Sequence, residues 1–276
     1  MWECVRLTDC LSLDSSDEYD YEKDVMKPEP SLRASAVLEF TFDDLPDTLH
    51  GMYCRKRVIP RLVAHLPRNY KRSGRYPLLV YLWGWDGGAA DKKALAYVRK
   101  LTLERDFIAV NMPLFKKALD PTEIHNGVMI QAFDDYPIIS RCYRRMLSAL
   151  LRAVPNVDPD RSVIGGLSNG AHTTALLLSA VDPFILNHFS GFFLLEGGWD
   201  IASLYKHAIR SKRIIKFVGG SRRQKYRRAM LDRLDAAMKV RWPPAFTVVK
   251  MPGVEHDFPD AYIPRLREWM TTTDGG

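Results

Sequence analysis

The sequence has few cysteines and none of the spacings that bind zinc. Its four cysteines are Cys4, Cys10, Cys54 and Cys142, and no two of them form a Cys-x-x-Cys pair. This pattern argues against a disulfide-rich scaffold and against a zinc cluster built on cysteine. We predict that all four are free thiols.

Long hydrophobic runs are also missing. No apolar run approaches the roughly 18 residues of a membrane-spanning helix, and residues 1–14 lack the basic and then apolar pattern of a secretory signal peptide. The sequence contains no internal repeat and no low-complexity stretch. With 46% hydrophobic and 26% charged residues in a chain of 276, we expect one large globular domain in the cytoplasm, without a membrane partner.

Charge is distributed unevenly along the chain, whose formal net charge is +7. Residues 1–30 carry nine acidic and three basic side chains, and residues 206–241 carry thirteen Lys and Arg against two Asp. We interpret residues 1–30 as an acidic polar extension and residues 31–276 as the folded domain. The basic segment is most simply a solvated face, although it could bind nucleic acid or be covered by the acidic extension.

Apolar runs and helical periodicities alternate along residues 34–272. The predicted strands are 34–42, 61–67, 76–85, 107–113, 161–166, 191–198, 213–220 and 246–253. The predicted helices are 91–106, 137–154, 171–181, about 224–240, and 263–272. Residues 114–136 lack clean periodicity and are predicted to form a functional or covering loop. This alternation predicts an α/β fold with a mostly parallel sheet of about eight strands and helices on both faces.

The pentapeptide GLSNG at residues 166–170 lies where a buried strand ends and a helix begins. A G-x-S-x-G sequence at such a junction makes a sharp, strained turn that exposes the serine oxygen, here that of Ser168. The same turn directs the backbone N–H of Asn169 toward the place where an oxyanion would form, beside the positive end of a helix. The alternative is that Gly166 and Gly170 only permit a tight turn and that Ser168 caps the helix.

A serine hydroxyl becomes a good nucleophile only when a neighbouring base takes its proton. His256 lies just after the last predicted strand, at the same edge of the sheet, and is the best placed of the seven histidines. His172 lies one helical turn after Ser168, and we expect it to pack under the turn. The remaining histidines are predicted to be surface or packing residues: His50, His65, His125, His188 and His207.

Three stretches carry a resemblance to a known family: YPLLVYLWGWDGG, VIGGLSNGAH and PGVEHDFP. In this order they resemble the α/β-hydrolase superfamily, and most of all its esterase branch related to feruloyl esterases and polyhydroxybutyrate depolymerases. The resemblance covers roughly residues 55–272. It implies an α/β-hydrolase fold, a small-molecule ester as substrate, no metal or organic cofactor, and an acyl-serine mechanism with Ser168 as nucleophile and His256 as general base. It also implies that the N–H of Trp85 or Asp86 joins that of Asn169 in the oxyanion pocket.

The sequence departs from this family at two places. Trp83-Gly84 replaces the common His-Gly, which changes how the oxyanion loop is braced. The acid of the triad normally follows the penultimate strand, where this chain has Ser221, Arg222 and Arg223.

Three hypotheses remain for the acid. Some hydrolases of this fold take it from the end of the preceding strand, where this chain has Glu196 and, four residues later, Asp200. We favour Asp200, because a carboxylate on a loop reaches His256 more freely. The second hypothesis is Glu196, and the third is a site without any acid. Asp257 is a poor candidate because it is adjacent to His256 in sequence.

Aromatic residues are frequent in the predicted loops at this edge of the sheet: Trp83, Trp85, Phe115, Phe133, Tyr136, Trp199 and Phe258. Most of them could simply cover the sheet, and we expect Trp85 and Trp199 to contact substrate. The sequence therefore predicts a serine carboxylesterase. A catalytically silent binding protein of the same fold is the alternative, and nucleic-acid binding is the weakest hypothesis because it rests on charge alone.

Overall fold

The computed structural model describes residues 32–45, 59–84, 92–115, 136–198, 212–221, 228, 231–232 and 246–272. Strands in this part of the chain are β1 Val37–Thr41, β2 Arg61–His65, β3 Leu78–Leu82, β4 Ile108–Met112, β5 Val163–Leu167, β6 Gly191–Leu195, β7 Arg213–Gly219 and β8 Phe246–Met251. Helices here are α1 Lys92–Thr102, α2 Tyr136–Ala153, α3 Asn169–Ser179, α4 Pro183–His188 and α5 Ile263–Thr271, with 3-10 turns at Pro159–Arg161 and Asp260–Tyr262. Three predicted segments lie wholly or mostly outside the described residues. They are the acidic extension, residues 116–135 of the predicted loop 114–136, and most of the predicted helix 224–240.

The strands form one sheet in the order β1-β2-β4-β3-β5-β6-β7-β8. β1 pairs antiparallel with β2, and β2 pairs antiparallel with β4. All the other neighbours in this sheet are parallel. The prediction of a mostly parallel sheet of about eight strands is therefore confirmed.

The sheet is covered on both faces, as its apolar strands require. Every residue of β3, β4, β6 and β7 is buried. Helices α2, α3 and α4 contribute buried side chains to the core on one face, among them Met146, Leu177 and Ile185. Helices α1 and α5 contribute to the core on the other face, among them Val98 and Leu266. A strand buried on both faces needs a continuously apolar sequence, which explains why these strands were predictable.

The helix after residue 180 was not predicted. Asp182 is its N-cap and accepts a hydrogen bond from the backbone N–H of Ile185 at 2.9 Å, and Pro183 is its first residue. An acidic N-cap followed by proline is a known helix-start signal. The helix is only six residues long, too short to show a periodicity.

Two further predictions can be compared with the described residues. Cys142 is buried and is not in a disulfide, as predicted, whereas Cys4, Cys10 and Cys54 lie outside the described residues. None of the helices in the described part of the chain combines the length and the hydropathy needed to cross a membrane.

Candidate active site

Ser168 occupies a strained turn between β5 and α3. β5 ends at Leu167, α3 begins at Asn169, and Ser168 between them has φ 52° and ψ −109°. A positive φ is uncommon for a residue with a side chain and costs conformational free energy. The backbone N–H of Ser168 donates to the carbonyl of Leu195 at 2.7 Å, so the turn is tied to the end of β6.

Close packing against β3 explains the glycines beside this serine. A Cβ atom at Gly166 would lie 2.1 Å from the carbonyl oxygen of Leu82, and one at Gly170 would lie 2.0 Å from the same atom. Neither position can therefore hold a side chain. Helix capping does not explain the serine, because the Ser168 side chain makes no cap hydrogen bond.

The side chains of Ser168 and His256 meet at this turn. Nε2 of His256 lies 2.8 Å from Oγ of Ser168, although the two residues are 88 positions apart. His256 lies in the loop that follows β8, and 52% of its side chain is exposed. The imidazole is therefore within hydrogen-bond reach of the hydroxyl and also accessible from solvent.

Glu196 lies on the other side of the same imidazole. It is the first residue after β6, it is fully buried, and its φ is 51°. Its Oε2 atom lies 3.5 Å from Nδ1 of His256, and its Oε1 atom accepts a hydrogen bond from the backbone N–H of Gly219. Asp200, which we favoured on sequence grounds, lies outside the described residues, so its role stays a prediction. The carboxylate of Asp257 accepts the N–H of Phe258 at 2.7 Å.

Two further basic side chains are packed beside the turn formed by residues 196–198. Lys216, in β7, is fully buried, and its Nζ donates to the carbonyl oxygens of Gly197 and, at 2.8 Å, of Gly198. Nδ1 of His172 accepts the backbone N–H of Gly198 at 3.2 Å. Lys216 was not predicted as a site residue. Its signal in the sequence is a lysine flanked on both sides by apolar residues, in the middle of the strand RIIKFVG.

Burial lowers the pKa of both bases. The pKa of Lys216 falls to about 7 because its charged form loses hydration, while attraction to Glu196 opposes this fall. The pKa of His172 falls to about 4, mainly through burial and further through the charges of Lys216 and His256. His172 is therefore neutral at pH 7, as its acceptance of the Gly198 N–H requires.

No protein-family model matches the sequence, and no curated protein matches it. Solved structures match it over most of its length. The feruloyl esterase module of Clostridium thermocellum is 16% identical, with a TM-score of 0.52 and 87% of this chain and 89% of that chain covered. The ferulic acid esterase Fae1A of Anaeromyces mucronatus is 15% identical, with a TM-score of 0.53 and 90% and 94% covered. S-formylglutathione hydrolase of Staphylococcus aureus is 13% identical, with a TM-score of 0.50 and 87% and 98% covered.

The chain has the α/β-hydrolase fold. The resemblance that the three sequence stretches carried is thereby confirmed, and the similar structures named here are those of esterases and a related hydrolase. At these identities the likeness concerns the fold and leaves the substrate open.

The usual acid position of the α/β-hydrolase fold, after β7, is occupied by Ser221. Ser221 is buried, and its backbone N–H donates to the carbonyl of Val254 at 3.0 Å. Gly219 N–H, at the end of β7, donates instead to the carboxylate of Glu196. In this chain the end of β7 therefore supports a carboxylate that comes from β6.

The loop after β3, where the α/β-hydrolase fold forms part of its oxyanion pocket, begins against the Ser168 turn. A Cβ atom at Gly84 would lie 3.3 Å from Cβ of Ser168. Trp83 is half-buried, and its ring makes edge contacts with Tyr81 and Tyr97 at centroid distances of 5.6 Å each. These aromatic rings brace the position at which the family commonly has histidine.

The other predicted pocket residues are only partly described. Asn169 is half-buried and is the first residue of α3, whereas Trp85, Asp86, Phe133 and Trp199 lie outside the described residues. Three of the remaining aromatic residues pack into the protein. Phe115 contacts Tyr143, Phe258 contacts Phe217, and the hydroxyl of Tyr136 donates to Asp182.

Proposed function

We propose that this protein is a serine hydrolase that cleaves small carboxylic esters through an acyl-enzyme formed on Ser168. The observation that carries the proposal is the 2.8 Å contact between Oγ of Ser168 and Nε2 of His256 at a strained strand-to-helix turn. The α/β-hydrolase fold and its likeness to esterase structures support it. A serine and histidine pair of this kind needs neither a metal nor an organic cofactor to form and hydrolyse an acyl-enzyme.

The reaction proceeds in two steps. In the first, Nε2 of His256 takes the proton of the Ser168 hydroxyl while Oγ attacks the ester carbonyl carbon, and the protonated imidazole then gives this proton to the departing alcohol. In the second, His256 takes a proton from water, the resulting hydroxide attacks the acyl carbon, and Ser168 recovers its proton as the carboxylic acid leaves.

Glu196 serves as the acid of the site. A carboxylate beside Nδ1 fixes the orientation of the imidazole and stabilises the imidazolium that forms when Ser168 loses its proton. The separation of 3.5 Å exceeds a normal hydrogen bond, and such contacts often shorten only when substrate is bound. A silent binding protein would be favoured by the absence of a carboxylate near His256. The carboxylate of Glu196, 3.5 Å from Nδ1 of His256, therefore supports the enzyme over this alternative.

The oxyanion of the tetrahedral intermediate is bound by the backbone N–H of Asn169 and by a second N–H from Trp85 or Asp86. Asn169 is the first residue of α3, so the positive end of the helix dipole adds to the stabilisation of negative charge. Trp85 and Trp199 line the substrate pocket in this proposal.

Covalent labelling tests the nucleophile directly. We expect a fluorophosphonate probe to label the wild type and p-nitrophenyl acetate to be hydrolysed, whereas Ser168→Ala shows neither reaction. Ser73→Ala changes an exposed serine in the turn at residues 71–74 and is the matched control, expected to behave as wild type. Absence of labelling in the wild type, or equal labelling of Ser168→Ala, would contradict the proposal.

A further inference from the structure

Lys216 places a basic side chain in the middle of β7, the strand next to one edge of the sheet. β7 lies between β6 and β8, and Lys216 is in register with Leu194 on one side and Val248 on the other. Its side chain is fully buried. Burying a basic group is costly unless its hydrogen bonds are satisfied, so the acceptors of Lys216 indicate why the residue is there.

Those acceptors belong to the turn that carries Glu196. The Nζ of Lys216 donates to the carbonyl oxygens of Gly197 and Gly198, while the N–H of Gly198 donates to His172. The turn has two residues with positive φ, Glu196 at 51° and Gly198 at 65°. Such a backbone persists only where its surroundings fix it. Lys216 and His172 fix it from two different elements, β7 and α3.

The same turn is packed against the Ser168 turn. A Cβ atom at Gly197 would lie 2.3 Å from the carbonyl oxygen of Ser168 and 2.8 Å from Cβ of Ala171. There is no free space between the two turns at this point. A displacement of residues 196–198 would therefore move the Glu196 carboxylate and would also disturb the backbone of Ser168.

We propose that Lys216 is a positioning residue of this site: by binding the carbonyls of Gly197 and Gly198, it directs the Glu196 carboxylate toward Nδ1 of His256. Lys216 is buried away from solvent and acts through the turn that carries Glu196. The inference rests on the proposed function of Ser168 and His256.

The chemistry of a buried amine suits this role. Burial lowers the pKa of Lys216 to about 7, so both protonation states are populated near neutral pH. An ammonium has three N–H donors and a neutral amine has two. Either form can therefore bond two carbonyl oxygens, and the turn stays fixed on both sides of neutrality.

Replacement of Lys216 by a side chain of similar length without donors tests the proposal. In Lys216→Met we expect kcat for p-nitrophenyl acetate to fall by about 10- to 100-fold, because a small misplacement of a catalytic group has effects of this size, and KM to stay within about twofold. Lys216→Gln keeps two amide N–H donors on a shorter side chain, and we expect it to recover part of kcat. Lys250→Met, which changes an exposed lysine of β8, is the matched control.

A spectroscopic measurement separates this inference from the proposed function. A histidine Nδ1–H bonded to a carboxylate gives a proton NMR resonance far downfield. We expect it for His256 in the wild type and in Lys250→Met, and we expect it to move upfield or broaden in Lys216→Met. If the fluorophosphonate probe does not label Ser168 of the wild type, the proposed function is contradicted. The His256 resonances of the wild type and of Lys216→Met can still be compared in that case.

Unchanged kcat and an unmoved His256 resonance in folded Lys216→Met would overturn the role of Lys216. Circular dichroism decides whether that variant is folded. If it is not, Lys216→Gln alone decides, because its amide is too short to reach both carbonyls. We then expect a kcat about 3- to 10-fold below wild type, and wild-type kcat with an unmoved resonance would overturn the role.

Discussion

At the scale of single residues, the site depends on one imidazole with a different partner at each nitrogen. Nε2 of His256 faces Ser168, and Nδ1 faces Glu196. The exposed imidazole and the fully buried carboxylate have opposite environments. The carboxylate is thus fixed by the protein interior, whereas the imidazole can reach substrate and water.

Glu196→Gln tests which carboxylate assists His256. The amide keeps the size of the side chain but cannot stabilise the imidazolium, so we expect kcat for p-nitrophenyl acetate to fall by about 10²- to 10⁴-fold. Asp200→Asn is the matched variant, and we expect it to retain wild-type kcat. A larger loss in Asp200→Asn than in Glu196→Gln would show that Asp200 is the acid.

The sequence was sufficient to predict that Ser168 and His256 lie close together, but it did not identify the acid of the triad. Both residues follow apolar strands of a parallel sheet, and the carboxyl ends of such strands meet at one edge. The direction of the Glu196 side chain depends on a positive φ, and this backbone is fixed by Lys216 from another strand. No local pattern encodes a contact of this kind.

At the scale of secondary structure elements, the Ser168 turn is where β3, β5 and α3 meet. The glycines on either side of the serine have no space for a side chain. The carbonyl of Leu82, at the end of β3, lies between Gly166 and Gly170, which belong to β5 and α3. The buried strands were predicted to within about two or three residues at most ends, because apolar runs mark them directly. The start of α3 was predicted two residues late, since glycine and serine give no helical periodicity.

Gly170→Ala tests this close packing. The neighbouring atom is a backbone carbonyl oxygen that cannot rotate away, so we expect the free energy of unfolding to fall by about 3 kcal/mol or more. Gly253→Ala is the control, because that glycine has φ +73° and open space around its Cβ position. There we expect a cost of about 1 kcal/mol from backbone strain alone. Urea denaturation measures both values, and equal losses would contradict the close contact with Leu82.

At the scale of the whole molecule, the fold removes two bases from water on one face of the sheet. The pKa of Lys216 falls from 10.5 to about 7, and that of His172 falls from 6.5 to about 4. At a pH between the two pKa values of either base, that base is protonated in the unfolded chain but not in the folded chain. Each base therefore makes the folded state more stable as pH rises through its own interval.

The pH interval of His172, between about 4 and 6.5, is the easier of the two to test by denaturation. Its contribution to stability is complete above about pH 6.5 and is lost as pH falls toward about 4, because a protonated His172 would be buried near Lys216 and His256 and could not accept the Gly198 N–H. At about 1.4 kcal/mol per pKa unit, over an interval from 6.5 to about 4, the loss is at most about 4 kcal/mol. In His172→Asn the amide oxygen can accept the same N–H and does not titrate, so we expect the free energy of unfolding in urea to fall less steeply between pH 6.5 and 4 than in the wild type. Parallel curves for the two proteins would mean that His172 is protonated as readily in the folded chain as in the unfolded one.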